Sequence, residues 1–224
     1  MHFLKENKTY LFAFASITLV FFYFDRRVIV WMRAIQEEGS SLYYFLEVID
    51  PYLAFISHGA TLITVACLLY VIGKFTSKRL SEAGKYLCMG FIMSGLAVQT
   101  LKHLIGRARP RYMDEALFIG PTFKGGYDSF PSGHATEVFC FAYILSQYFP
   151  RQRVLFYSYA IIVALERIED CSHFPSDVLA GGLLGMVAGK LLLKMFKVEQ
   201  LHENATILPA PYAQTKSSIK TDEI

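Results

Sequence analysis

Six stretches of this chain are apolar over nearly the length of a bilayer-spanning helix, at roughly 9–24, 52–72, 86–104, 134–149, 154–169 and 177–196. Polar or charged residues separate each from the next. Crossing the hydrocarbon takes about 20 mostly apolar residues, so the pattern predicts an all-α bundle of six transmembrane helices. The first, fourth and fifth stretches are short, and their flanks are expected to supply the missing turns. Between the first two, residues 25–51 interleave Arg26, Arg27, Arg33, Glu37 and Glu38 with Val28, Ile29, Val30, Trp31, Leu42 and Phe45. That mixture suits an amphipathic segment lying at the interface.

Lys5 and Lys8 precede the first apolar run as in a signal peptide, but Phe22, Tyr23 and Phe24 lead straight into Asp25-Arg26-Arg27 and leave no small-residue cleavage site. A retained first span is the expectation. From about Glu199 the chain turns polar and carries Pro209 and Pro211, the pattern of a disordered extension. The expected organisation is one membrane domain over 1–198 and a cytoplasmic tail over 199–224, without an internal repeat. Gly181, Gly185 and Gly189 recur every fourth residue in the last span and predict a smooth ridge on which another helix packs closely in lipid.

Composition agrees with a membrane bundle: 54% of the 224 residues are hydrophobic, more than an ordinary soluble domain carries on a wetted surface. A net charge of +3 without a basic stripe gives no reason to expect a nucleic-acid partner. Cys67, Cys88, Cys140 and Cys171 form no CxxC pair, which predicts neither a zinc site nor a disulfide framework.

Cations set the orientation, since short cytoplasmic loops are enriched in Lys and Arg. With both termini cytoplasmic, Lys5, Lys8, Lys74, Lys78, Arg79, Lys85, Arg151, Arg153, Lys194 and Lys197 all lie inside. Lys102, Arg107, Arg109, Arg111, Lys124 and Arg167 then gather outside, a concentration that asks for a use.

Three clusters converge on that outer face. Lys102 precedes Arg109-Pro110 by seven residues; on a continuous helix that is two turns, with both cations on one side about 10 Å apart. Pro131-Ser132-Gly133-His134 opens the fourth span, with Ser132 as N-cap and the free N–H groups and positive dipole end of the helix as an anion site. Gly133 lets the backbone approach a ligand, and His134 lies beside it. Arg167, His173 and Asp177 follow, with the last helix starting near Pro175; Asp177 in its first turn can reach one ring nitrogen of His173, fix its tautomer and stabilise the imidazolium.

The three clusters resemble the signature motifs of the type 2 phosphatidic acid phosphatase superfamily: Lys-x6-Arg-Pro at Lys102–Pro110, Pro-Ser-Gly-His at Pro131–His134, and Arg-x5-His-x3-Asp at Arg167–Asp177. The similarity spans about 50–197. One position departs from the pattern: the family's Ser before the motif Arg is Glu166, a carboxylate able to orient Arg167 or to repel phosphate. The resemblance implies a double displacement with neither metal nor other cofactor. His173 is then the nucleophile, Asp177 its orienting partner and His134 the general acid and base. Lys102, Arg109, Ser132, Gly133 and Arg167 bind the phosphate.

The implied substrate is a lipid phosphate or diphosphate: undecaprenyl diphosphate, phosphatidylglycerophosphate, phosphatidic acid or a lipid A phosphate. The compact chain looks like bacterial members, which implies the inner membrane with the site facing the periplasm. Oligomeric state stays open. Two rival readings are a six-span transporter of a phosphorylated solute, which predicts polar residues deep in several helices, and a non-catalytic lipid-binding scaffold; a phosphotransferase of the same family is a further alternative. His58 is expected as a hydrogen-bonded core residue and His103 as peripheral. Arg107, Arg111, Tyr112 and Lys124 are expected as supporting or headgroup contacts. Asp114, Glu115, Asp128, Glu169 and Asp170 lack the spacing of a metal cluster.

Overall fold

Seven helices, α1 (Asp25–Glu38), α2 (Ser41–Ser57), α3 (Gly59–Thr76), α4 (Lys78–Ile105), α5 (Gly133–Tyr148), α6 (Arg153–Glu169) and α7 (Pro175–Met195), carry the fold, with 3-10 turns at Pro110–Tyr112 and Pro150–Gln152. They come from a computed structural model that describes residues 12, 15–21, 23–39, 41–112 and 117–196. Residues 15–21 are helical too. Among the described residues the β structure is confined to one isolated bridge, Arg107 to Phe118.

α3, α4 and α7 are long and apolar enough to cross a membrane. α5 and α6 have 16 and 17 residues and match the short fourth and fifth stretches of the sequence. Residues 9–11, 13, 14 and 22 of the first stretch, and the tail over 199–224, lie outside the described residues. The second stretch, expected as one span over 52–72, is broken. α2 ends at Ser57, and His58 turns extended (φ −67°, ψ 137°) to cap α3, its Nδ1 accepting from the Ala60 N–H at 3.3 Å. His58 is thus an exposed cap and not a core residue.

α5 is the central helix and packs against α4, α6 and α7, while α3 pairs with α4. The glycine ridge makes the α5–α7 contact possible. A Cβ at Gly181 would lie 2.4 Å from the Ser132 carbonyl oxygen, and one at Gly185 would lie 2.1 Å from that of Thr136. The bundle interior is filled by Leu87, Val138, Cys140, Ile144 and Val163, all fully buried. Large apolar side chains such as Phe75, Leu96, Val154 and Leu165 face outward, an outer surface suited to lipid. At one end of the bundle Tyr86 stacks on Tyr148 and contacts Phe196, with Arg79 over Phe149. The three motif clusters meet at the opposite end.

Candidate active site

α4 stops at Ile105 because Gly106 enters the left-handed region (φ 58°) and returns its N–H to the Lys102 carbonyl. Arg109 therefore lies beyond the helix, and the expected two-turn helical face for Lys102 and Arg109 does not form. The loop restores their proximity by another route. The Arg107 carbonyl accepts from the Ser129 N–H at 3.0 Å, and the Arg109 N–H reaches the Gly126 carbonyl at 2.8 Å, which carries Asp128 to both cations. Lys102 Nζ donates to the Asp128 carbonyl at 2.6 Å. Arg109 donates from Nε and Nη2 to the two Asp128 carboxylate oxygens at 2.8 and 2.7 Å.

At the start of α5, Ser132 accepts from the Ala135 N–H at 3.5 Å as the predicted N-cap. Its own N–H donates to the Asp177 carbonyl at 3.0 Å, which ties the second cluster to the third. Gly133 faces the alkyl arm of Lys102, so the first cluster meets the second here. His134 is half-buried, and its ring meets that of His58 edge-on at 6.3 Å.

Arg167 lies in the last turn of α6, and Cys171 takes a left-handed conformation (φ 54°) in the turn that follows. That reversal lets the His173 N–H bond the Arg167 carbonyl at 3.0 Å. Arg167 is buried and receives the Glu166 carboxylate on Nε and Nη2, with Asp170 3.5 Å from Nη2. His173 is 2% exposed. Its Nδ1 lies 3.7 Å from Asp177 Oδ2 and has no hydrogen-bond partner, so the expected His173–Asp177 contact stays beyond hydrogen-bond length. Asp177 Oδ2 instead accepts from Ser129 Oγ at 2.6 Å and the Phe174 N–H at 2.9 Å, while Oδ1 accepts from Arg107 Nη1.

The sequence reading did not name Arg107 as the partner of Asp177. Arg107 is 1% exposed and has Asp177 on Nη1 and Asp25 on Nη2, the latter at 2.7 Å. Asp25, 2% exposed, also accepts from the Ser176 N–H at 2.9 Å and from Ser176 Oγ. Arg107 was expected as a supporting or headgroup contact and is a support; Asp128, considered only as a discarded metal ligand, is one as well. An acid directly after an apolar run, as in Phe24-Asp25, was the available signal for Asp25. His103, expected as peripheral, anchors the loop through Thr122 and Phe123. Lys124 covers the Tyr127 ring, and Arg111 lies 3.9 Å from Asp170 on an exposed rim.

Electrostatics follow from this packing. The Arg109 hydrogen bonds hold the Asp128 carboxyl down at about 2, and Asp128 raises Arg109 in turn. Burial pushes the His173 imidazole down, Asp177 opposes this, and the Lys102 and Arg109 charges add to it. The arrangement offers a neutral imidazole beside a helix N-terminus and three cations, which is chemistry for an anionic electrophile. Among the described residues no group of three or more His, Cys, Asp or Glu is arranged to hold a metal ion.

Comparison with known proteins points the same way. The model of the PAP2 superfamily matches residues 83–200. A lipid A 1-phosphatase from Rhizobium etli is 38% identical over 141 residues, covering 56% of this chain and 61% of that protein. The corresponding protein of Rhizobium johnstonii is also 38% identical, with 58% of its length covered. The chain thus spans about three fifths of these relatives. Among solved structures, Aquifex aeolicus LpxE superposes with a TM-score of 0.55 at 25% identity, over 73% of this chain and 93% of that one. A PAP2 type phosphatidylglycerolphosphate phosphatase from Bacillus subtilis, at 20% identity, shares the fold with a TM-score of 0.62 over 89% and 96%.

Proposed function

Since the chain belongs to the PAP2 superfamily, we propose that it is an integral membrane lipid phosphatase working through a phosphohistidine at His173. The observation that carries this reading is the convergence of Lys102, Arg109, Arg167 and the Ser132-capped start of α5 around a buried His173. In the first step the neutral imidazole attacks phosphorus in line. A P–N bond forms, the P–O bond to the lipid breaks, and His134 protonates the departing oxygen. In the second step His134 takes a proton from water, which attacks phosphorus and releases inorganic phosphate and neutral His173. Lys102, Arg109, Arg167, Ser132 and the Gly133 N–H stabilise the equatorial oxygens, where charge is spread in the transition state. Asp177 faces Nδ1 and stabilises the positive charge of the modified ring.

The proposed topology has six spans, with residues 9–24 and α3 to α7 crossing and α1 and α2 at the interface. Both termini are cytoplasmic, because Lys74, Lys78, Arg79, Lys85, Arg151, Arg153 and Lys194 flank the end away from the motifs. The site then faces the periplasm across the inner membrane. Similarity to the Rhizobium lipid A 1-phosphatases favours a lipid A phosphate as substrate over undecaprenyl diphosphate, phosphatidylglycerophosphate and phosphatidic acid.

Phosphate release by detergent-solubilised protein in EDTA, against those four lipids and a soluble phosphate ester, tests the reading. Release from a lipid, abolished in folded His173→Ala, is expected. Release that persists in His173→Ala would remove the nucleophile assignment, and release that EDTA abolishes would remove the metal-free mechanism.

A further inference from the structure

The network behind His173 contains a carboxylate from a helix that carries none of the three motifs and lies outside the family-matched residues 83–200. We propose that Asp25 of α1 is a positioning residue of the active site, fixing Asp177 and the start of α7 through Arg107 and Ser176. Its kinetic consequence rests on the phosphatase reading above.

Two carboxylates hold one guanidinium by its two terminal nitrogens, Asp25 on Nη2 and Asp177 on Nη1. Because the guanidinium is planar and rigid, fixing one end sets the other. Its centre lies 4.2 Å from the Phe174 ring centroid and 4.7 Å from that of Phe21, contacts that oppose tilting. Arg107 Nε has no acceptor, so its hydrogen bonds all come from the terminal nitrogens, Nη1 reaching Ser176 Oγ as well at 2.8 Å. The same two acids satisfy free donors at the N-terminus of α7, Asp25 from the Ser176 N–H and Asp177 from the Phe174 N–H, both at 2.9 Å. Asp25 is in effect a cap supplied by another helix.

The rest of α1 is built to hold Asp25 there. Asp25, Ile29, Arg33 and Gln36 follow at intervals of four, four and three, which places them on one helical face. Ile29 is fully buried against Cys171 and Phe174, on either side of His173. Arg33 donates to the Pro110 carbonyl, and Gln36 Nε2 donates to the Glu169 carbonyl at 2.8 Å. A buried acid–arginine–acid cluster is poor value for stability alone, since desolvation offsets its attraction. What it does supply is a fixed place for Asp177 Oδ2, 3.7 Å from His173 Nδ1, where a shift of about an ångström changes the contact from open to hydrogen-bonded.

The test compares Asp25→Asn and Asp25→Glu with wild type in lipid-phosphate turnover, in inhibition by inorganic phosphate, and in a thermal unfolding cycle with Asp177→Asn. Asp25→Asn should lower kcat about tenfold to a hundredfold, the scale seen for supports behind functional ligands. KM and phosphate inhibition should stay unchanged, because Lys102, Arg109 and Arg167 are untouched, and Asp25→Glu should recover part of the rate. The Tm shifts of Asp25→Asn and Asp177→Asn should be non-additive, since both act on Arg107. Wild-type kcat in folded Asp25→Asn, or additive Tm shifts, would overturn the proposal. Non-additive unfolding in a protein that releases no phosphate from any lipid would sink the phosphatase reading and leave the clamp standing.

Discussion

Glu166 turns its carboxylate onto the neighbouring Arg167, engaging Nε and Nη2 together. Both residues are buried, so the pairing is shielded from water, and one edge of a phosphate-gripping fork is already taken. A bidentate arginine contact is geometrically specific, so an incoming phosphate is left the other edge or must displace the carboxylate.

Replacing Glu166 by Ser, the residue of the family pattern, should therefore tighten inorganic phosphate inhibition and lower KM. The expected change is about tenfold, the scale of one charge-assisted hydrogen bond. Steady-state kinetics with phosphate as inhibitor measures it, and unchanged inhibition would mean that Glu166 only orients Arg167.

Asp128 should matter for binding more than for turnover. Its carboxylate holds Arg109 and lies 4.0 Å from Lys102 Nζ, so Asp128→Ala frees Arg109 and leaves Lys102 only the main-chain carbonyl. KM should rise by about tenfold or more, since misplacing a positioning group is costly, with a smaller loss in kcat. A kcat loss with KM intact would assign Asp128 to the chemistry instead.

The acid limb of activity should lie below pH 6.5. Burial holds the folded-state pKa of His173 below its ordinary value of 6.5, so the imidazole stays neutral in the folded protein while the unfolded chain takes up a proton. Stability is then full above pH 6.5 and falls below it, until the folded-state pKa is reached. Asp128 has the same sign at lower pH. Its contribution is present above the ordinary carboxylate value of 3.8 and is lost as pH falls through about 2. Losses just below pH 6.5 thus belong to His173, and a Tm-against-pH curve for His173→Gln should lack that share of the decline. An unchanged curve would contradict the buried neutral imidazole.

Gly185→Ala should disturb site and fold together. The added Cβ would sit 2.1 Å from the Thr136 carbonyl oxygen, so α7 must move off α5, at a cost of about 1–3 kcal/mol by the usual scale of overpacking. That movement separates Asp177 from Ser132, whose N–H it binds. Gly125→Ala, with nothing within 4 Å of the new Cβ, serves as control. Equal melting temperatures for the two variants would dismiss the ridge.

The sequence was most legible where a local rule suffices. Ser132 is a cap because a hydroxyl before a helix satisfies free N–H groups, and the four-residue glycine repeat forms a close interface because its spacing matches a helical ridge. Both readings hold in the fold. Lys102 and Arg109 show where such rules stop: a seven-residue spacing implies a shared helical face only if the helix continues, and Gly106 ends it. His58 shows the same limit, since an apolar window cannot reveal a one-residue break between two helices.

By itself the sequence determined the helical character, the apolar exterior and the three clusters that define the family, because periodicity, capping and motif order are properties of neighbours along the chain. Only the tertiary structure decided who supports whom. Asp128 joins Lys102 to Arg109, Glu166 occupies Arg167, and Asp25 reaches Asp177 through Arg107 across 82 and 70 residues of chain. A buried charge must find its partner in space, and which distant charge comes within reach is set by how the helices pack.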